Sequence, residues 1–222
     1  MMADINIEQS RAFYDSYYQK KKQIQRTYSA ILKYFKEPGK LLDVACGDGQ
    51  FLASLPDDII KYGIDISPEA LRIALHNLHT NLSNAYLEPA PAEDIPFPDN
   101  LFDYVTCFGS IEHFVDMEKG LREMARVGKS YCKYFFAVPN SKFNIVSLTK
   151  GKVGTEQALN IEVLHSLKEW QKIFEDSGYQ VIDVHNFPVY RKSWTWLKRI
   201  VYWFLPLRFD EQFMFMCKKT QC

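Results

Sequence analysis

Seven short runs rich in aliphatic or aromatic residues, at 40–45, 60–66, 84–88, 102–108, 131–138, 179–187 and 212–218, predict β-strands. Between them, apolar positions recur at helical spacing over 50–55, 68–78, 116–127 and 166–177. Local punctuation agrees: Ser67-Pro68-Glu69 supplies an N-cap, a first-turn proline and a first-turn acid. Ser166 and Glu169 form a capping-box pattern, and Gly178 stands where that helix should stop. Ahead of the first strand, Phe13, Tyr17, Ile24, Tyr28, Ile31, Leu32 and Phe35 lie at roughly helical spacing and end at Pro38-Gly39, so 8–35 reads as helix followed by a stop. Strands alternating with helices predict an α/β fold built on a doubly wound, largely parallel sheet, whose ligands bind beyond the carboxyl ends of the strands. Asp43 to Gly49, Asp65, the end of 102–108 and Pro139-Asn140 all fall on that edge.

Composition narrows the classes without choosing one. With 222 residues, 47% of them apolar, the chain suits one substantial domain and is short for two. A formal net charge of zero leaves no global electrostatic footprint for nucleic acid, so none is expected as a partner. Cys46, Cys107, Cys132, Cys217 and Cys222 are odd in number, widely spaced and lack a CxxC pair, which argues against a disulfide framework or a zinc ribbon. The N-terminus has no apolar signal core and no run reaches membrane-span length, so a cytoplasmic location is expected.

The candidate chemistry starts at Leu41-Leu42-Asp43-Val44-Ala45-Cys46-Gly47-Asp48-Gly49, an apolar strand running into an acidic, glycine-punctuated loop. Gly47 and Gly49 let the backbone approach a ligand closely, and Gln50-Phe51-Leu52 opens a helix whose free N–H groups face the loop. A carboxylate at Asp43 would be costly unless a cationic or hydrogen-donating group meets it, and an ammonium-bearing ligand would satisfy it. Asp65 ends the second strand about twenty residues after the glycines, where an acid can accept hydrogen bonds from vicinal ribose hydroxyls. A nicotinamide dinucleotide would call for a third glycine where Leu52 stands, and Leu52 is expected to obstruct close packing of helix on strand. A nucleoside without pyrophosphate fits better. Further along, Asp94 can take a hydrogen bond from an exocyclic amine, neighbouring backbone N–H groups can meet a ring nitrogen, and Ile66 or Ile95 can cover the ring face.

The ordered set Asp43-x-Ala45-Cys46-Gly47-x-Gly49, Gly63-Ile64-Asp65-Ile66-Ser67, Ala92-Glu93-Asp94-Ile95-Pro96-Phe97 and Phe102-Asp103-Tyr104-Val105 resembles the class I S-adenosylmethionine-dependent methyltransferases, most of all their type 11 small-molecule subgroup. The likeness continues through Ile111-Glu112-His113-Phe114 and Leu121 to Val127. The resemblance implies a Rossmann-like, doubly wound, mostly parallel seven-stranded sheet whose last strand, 212–218, is antiparallel. It implies S-adenosyl-L-methionine as cofactor and S-adenosylhomocysteine as product. The loop from Asp43 to Gly49, Ala45 and Cys46 included, would hold the methionine portion with Asp43 near its amino group. Asp65 would hold the ribose, Glu93 and Asp94 would meet the adenine, and Phe108 and Gly109 would line the methyl donor through backbone groups. The chain then divides into an N-terminal helical lid (1–37), a cofactor-binding core (38–140) and an acceptor-side part (141–222). Two departures stand out: Gly128-Lys129-Ser130 leads directly into the fifth strand where the family has a longer turn with paired glycines, and the C-terminal part carries an insertion.

The acceptor is read from fewer residues. The fourth strand ends Cys107-Phe108-Gly109-Ser110, without the Asn/Asp-Pro-Pro-aromatic run that resembling N-methyltransferases use on planar amines. His113, just beyond, is the candidate general base for a hydroxyl, and its other reading is a residue that fixes the loop. Transfer to oxygen of a small-molecule, glycan- or lipid-linked acceptor is therefore expected. A non-catalytic nucleotide-binding module and a nicotinamide-dependent reductase are the alternatives. His165 precedes a helix and reads first as a loop anchor, and the spacing of Glu112, His113, Glu162 and His165 demands no metal. Tyr14, Tyr17 and Tyr18 are candidates for an aromatic lid over a sulfonium, with Tyr14 and Tyr18 assigned to the cofactor site. Lys20-Lys21-Lys22 reads as a solvated face, and Cys46 as a small buried side chain with no chemistry of its own. Residues 191–208 mix tryptophans, aliphatics and basic groups in a way that suits a pocket cover, a dimer contact or a peripheral membrane contact.

Overall fold

The computed structural model describes residues 6–20, 26–141, 165–187, 190–191 and 212–220. All seven predicted strands join one sheet: β2 (Gly39–Val44), β3 (Ile59–Asp65), β4 (Tyr86–Pro89), β5 (Phe102–Phe108), β6 (Gly128–Pro139), β7 (Tyr179–Asn186) and β9 (Gln212–Lys219). Their order is β4-β3-β2-β5-β6-β9-β7. The pairs from β4 through β6 are parallel, and β9 runs antiparallel to both β6 and β7. Helices α2 (Gln50–Ser54), α3 (Pro68–Thr80), α4 (Met117–Val127) and α5 (Leu167–Asp176) lie close to their predicted ranges.

Alternation along the strands builds two cores, one on each face of the sheet. Leu42, Val44, Val105 and Phe136 enter one cluster, which α4 and α5 close with Leu121, Met124, Trp170 and Phe174. Their chain neighbours Leu41, Tyr104 and Phe135 enter the other, with Phe51 and Leu52 of α2 and Leu71 and Leu78 of α3. Both faces of the central strands are therefore apolar, as a parallel sheet covered on two sides requires. Capping follows the sequence: Ser67 Oγ accepts from Ala70 N–H at 3.1 Å, and Glu169 accepts from Ser166 N–H at 2.6 Å. Gly178 adopts φ 86° just beyond α5.

The single helix expected over 8–35 is not formed. Helix α1 (Ile7–Lys20) ends early, a two-residue strand β1 (Arg26–Thr27) pairs with β8 (Tyr190–Arg191), and a 3-10 turn covers Leu32–Tyr34. A continuous helix over that range would span about 42 Å, nearly twice the length of a seven-residue strand such as β5. Breaking it lets Tyr28, Ile31 and Phe35 turn back under the sheet, where Phe35 contacts Phe51, Tyr104 and Phe135 at 4.8–5.5 Å. Apolar residues at helical intervals were drawn into a common core one by one, and the spacing did not reveal this. Strand β6 begins at Gly128, earlier than the predicted 131, because Leu101 and Asn100 hydrogen-bond the last carbonyls of α4 and feed the chain straight into the sheet. Residues 192–208, and the insertion reading attached to them, lie outside the described residues, as do Glu162 and Lys21-Lys22.

Leu52 also behaves differently from expectation. It does not hold α2 away from the sheet, because the missing glycine is on the strand: a Cβ at Gly63 would lie 2.8 Å from Leu52 Cδ1 and 2.9 Å from both Cys46 Sγ and Leu87 Cδ2. Close approach of helix and strand is preserved with the large and small partners exchanged. Gly63→Ala is expected to destabilise the domain by about 1–3 kcal/mol through overpacking. Urea denaturation measures it, and an unchanged midpoint would show that the helix has room to retreat.

Candidate active site

The strand order reverses between β2 and β5, which is where a doubly wound sheet opens a ligand crevice. Asp43 and Thr106 are register partners at that point, and the Thr106 hydroxyl donates to Asp43 Oδ1 at 2.6 Å. Burial pushes the Asp43 carboxyl up to about 7, opposed by the Thr106 hydrogen bond and reinforced by the charge of Asp65. Beyond Asp43 the chain turns through three left-handed residues, Ala45 (φ 56°), Gly47 (φ 55°) and Gly49 (φ 69°). Ala45 is the costly one, since it carries a Cβ in a region that favours glycine. Cys46 N–H donates to Ile64 O at 2.9 Å, and its buried thiol is raised well above its ordinary value by that burial, so it stays an inert small side chain.

Asp65 ends β3 beside this loop and accepts from Gly47 N–H at 2.8 Å and from Ser67 N–H at 2.9 Å. One carboxylate thus holds the loop and the start of α3 together. Gly49 packs on α3 so closely that a Cβ there would lie 2.7 Å from Ala74 Cβ, and Asn77 of the same helix donates to Asp48 O at 2.8 Å. Ile66 is half-buried next to Asp65.

The third segment divides its residues between surface and scaffold. Asp94 is exposed on the loop, whereas Glu93 is buried and its Oε1 accepts from Asp116 N–H, the N-cap of α4, at 3.1 Å. Ile95 is buried in the core, and its N–H donates to Glu123 Oε2 at 3.0 Å. The N–H of Asp94 is also engaged, by Pro91 O at 3.3 Å. Of the backbone N–H groups in this stretch, those of Asp94 and Ile95 already serve the loop. Arg126 completes the clamp: Nη2 donates to Ile95 O and Nη1 to Phe97 O and Asp99 Oδ1, each at 2.8 Å. Sequence reading gave Glu123 and Arg126 no role; their i, i+3 spacing on α4 was the available signal.

From above, α1 (Ile7–Lys20) settles on the loop. A Cβ at Gly47 would lie 2.5 Å from Tyr18 Oη, so the tyrosine hydroxyl rests directly on that glycine. Burial, then the charges of Asp65 and Asp48, hold the Tyr18 phenol well above its ordinary value. Tyr17 stands edge-on to Tyr18 at 5.3 Å and to Tyr14 at 6.4 Å, and Tyr14 is half-buried. Asp15 latches the helix: Oδ1 accepts from Ser67 Oγ at 2.5 Å and from Glu69 N–H at 3.2 Å. No local pattern could announce a contact across that distance in the chain. Phe108 ends β5 between Phe51 and Phe187, at 4.9 and 5.0 Å, and Gly109 follows with φ 67°.

His113 closes a 3-10 turn, Ile111–His113, directly after β5. Its side chain is 11% exposed, with Nε2 3.7 Å from Glu112 Oε1, and burial lowers its pKa to about 4. His165 is a packing residue: its ring meets Trp170 edge-on at 4.8 Å and its carbonyl accepts from Ser141 N–H. Among the described residues, no three His, Cys, Asp or Glu side chains are placed to hold a metal ion, and no helix is long and apolar enough to cross a membrane.

Three buried carboxylates, Asp43, Asp48 and Asp65, surround the loop and make it hostile to phosphate and receptive to cations. With Asp65 ending the adjacent strand beside this loop, fold and site define a Rossmann-like domain whose crevice favours a ligand bearing positive charge. The comparisons name it further. Residues 42–136 match the family model described as methyltransferase domain. The chain is 28% identical over 167 residues to an uncharacterized methyltransferase, YcgJ, of Bacillus subtilis, covering 70% of this chain and 63% of that protein. It is 30% identical over 174 residues to a ubiquinone/menaquinone biosynthesis C-methyltransferase, UbiE, of Rickettsia bellii, covering 66% and 70%. A SAM-dependent methyltransferase of known structure from Aquifex aeolicus superposes with a TM-score of 0.61 at 20% identity, covering 86% and 89%. The chain belongs to the class I S-adenosylmethionine-dependent methyltransferases, of the type 11-like group. It spans 63% of the Bacillus protein's length and 34–43% of several other curated relatives.

S-adenosylmethionine is the cofactor of this family, and the donor set fits it: buried acids for an ammonium and a sulfonium, and a glycine loop for close backbone approach. An ionised Asp43 would attract an ammonium more strongly than its protonated form, so affinity for S-adenosylhomocysteine is expected to rise with pH up to about 7 and then level off. Calorimetry between pH 5.5 and 8.5 reads this, and Asp43→Asn should flatten the profile. Arg126→Met should weaken the same ligand about tenfold by freeing the Ile95–Asp99 loop. An undiminished affinity would mean the loop holds its shape without the clamp.

Proposed function

We propose that the protein transfers a methyl group from S-adenosylmethionine to an oxygen of a small-molecule, glycan- or lipid-linked acceptor. The supporting observation is the neighbourhood of the Asp43–Thr106 pair: a cation-selective cofactor crevice on one side, and on the other the end of β5, where Phe108, Gly109 and His113 follow in sequence. When bound, the cofactor supplies an activated methyl on a positively charged sulfur. The chain's own task is alignment, since holding acceptor and methyl in line supplies much of the rate in such a displacement. Asp43, Asp65 and the loop hold the cofactor in place. The Tyr18 hydroxyl covers Gly47 from above.

His113 is assigned to the acceptor hydroxyl. With a pKa near 4 it is neutral throughout the physiological range, so it accepts a hydrogen bond from the hydroxyl and orients a lone pair toward the methyl. So low a basicity makes it a weak proton acceptor on its own, and it favours acceptors whose hydroxyl is already acidic, such as phenols and enols. A second reading is kept because the Rickettsia relative is named for transfer to carbon. A quinol ring presents a nucleophilic carbon beside its hydroxyl, and the same hydrogen bond would activate that carbon.

The direct test is a panel of phenols, enols, sugars and quinols with labelled cofactor, the product's methyl position read by mass spectrometry. Label found only on nitrogen would overturn the oxygen reading. With a working acceptor, His113→Ala is expected to lower kcat at least tenfold while S-adenosylhomocysteine affinity changes less than about twofold. The wild-type kcat profile should show no ionisation of His113 between pH 5.5 and 9. A kcat unchanged by the substitution removes His113 from the reaction.

A further inference from the structure

Six strands of the sheet end at the crevice edge, whereas β9 runs against its neighbours and starts there. Its first residue, Gln212, therefore stands among the ends of β5, β6 and β7, opposite Pro139 in register. The main chain at this point is fixed, because Gln212 O accepts from Phe187 N–H at 3.2 Å. Burial falls away at the same level on both strands. Val105 to Cys107 are buried and Phe108 to Ser110 half-buried; Phe213 to Phe215 are buried and Gln212 half-buried.

The Gln212 side chain lies against the end of β5. A Cβ built on Gly109 would lie 3.4 Å from Gln212 Nε2, and among the described residues no other atom beyond Gly109's chain neighbours comes within 4 Å of that point. Gly109 follows three residues after Thr106, the partner of Asp43, which is about 10 Å further along extended chain. The amide thus stands past the acid crevice, where the chain enters Ser110 and the turn that ends in His113, whose N–H donates to Ser110 O at 2.9 Å. Next to it the lining is aromatic: Phe108 meets Phe187 at 5.0 Å and Phe51 at 4.9 Å. A carboxamide is uncharged at every pH and has two N–H donors and two oxygen lone pairs, so it can bond within the fold and still serve a ligand. Its N–H end is the one turned toward Gly109.

We propose that Gln212 is a specificity residue that donates a hydrogen bond to a second oxygen of the methyl acceptor. His113 meets the hydroxyl that receives the methyl, Gln212 meets another hydroxyl or a carbonyl, and the ring that carries both packs on Phe108 and Phe187. The substrate class so defined is a planar ring bearing at least two oxygens. This rests on the oxygen-acceptor function proposed above and narrows it.

The test is an NMR titration of phenol, catechol, resorcinol and hydroquinone against the protein loaded with S-adenosylhomocysteine. At least one dihydric ring is expected to bind about five- to tenfold more tightly than phenol, the range of one neutral hydrogen bond. Gln212→Met keeps the length of the side chain and removes its hydrogen bonds, so that ratio should fall to about twofold or less while phenol affinity, S-adenosylhomocysteine affinity and the urea midpoint hold. Gln212→Glu keeps the oxygens and loses the N–H donors, so it should not restore the ratio. A ratio that survives in Gln212→Met or returns in Gln212→Glu, or a wild-type protein without a dihydric preference, overturns the assignment of Gln212. The oxygen reading is judged separately, by the atom on which the labelled methyl is found. Failure of the wild-type protein to bind S-adenosylhomocysteine would overturn both.

Discussion

A carboxyl group buried between two central strands is the constraint on which the site depends. Asp43 sits where the order of the sheet reverses, and Thr106 from the neighbouring strand is its hydrogen-bonding partner. Leaving such a group charged in the interior is expensive, so it shares a proton near neutrality until a cation arrives. The cost of burial becomes selectivity for positively charged ligands. The strands on either side are held by alternating apolar residues in two separate cores, which keeps the crevice at a fixed width while the loop above it is shaped for contact.

The same device recurs around the crevice, where carboxylates accept backbone N–H groups at the junctions between elements. Asp65 joins the glycine loop to the start of α3, Glu93 reaches the cap of α4, Glu123 takes the Ile95 amide, and Asp15 of α1 caps α3 from outside. Each replaces a hydrogen bond that water would otherwise make to an irregular segment, which is how loops at a strand edge acquire definite positions. Several acids in the motifs are therefore occupied with structure. Asp94, exposed at the turn, is the acid of the third segment that faces solvent.

Much of the fold was legible from pattern alone. Strands and helices of the core announced themselves through alternation, capping residues and glycines, and these are local properties that tertiary contacts seldom override. The region 8–35 misled because helical spacing of aromatic residues is also what a folded-back segment shows when each ring packs separately, as Tyr28, Ile31 and Phe35 do. Leu52 does not obstruct the packing because helix–strand approach depends on both partners, and Gly63 supplies the space. With that steric objection gone, the charge of the loop carries the case against a pyrophosphate.

The sequence by itself determined the family, the succession of strands and helices along the chain and the acids of the cofactor loop, because those depend on residue types at short, regular spacing. Tertiary structure alone decided which acids hold the scaffold, that Arg126 clamps one loop, that Asp15 and Tyr18 seal another, and that Gln212 meets Gly109 at the end of β5. Each of those contacts joins residues distant in the chain, and a contact over such a separation leaves no periodic or neighbouring trace in the order of the amino acids.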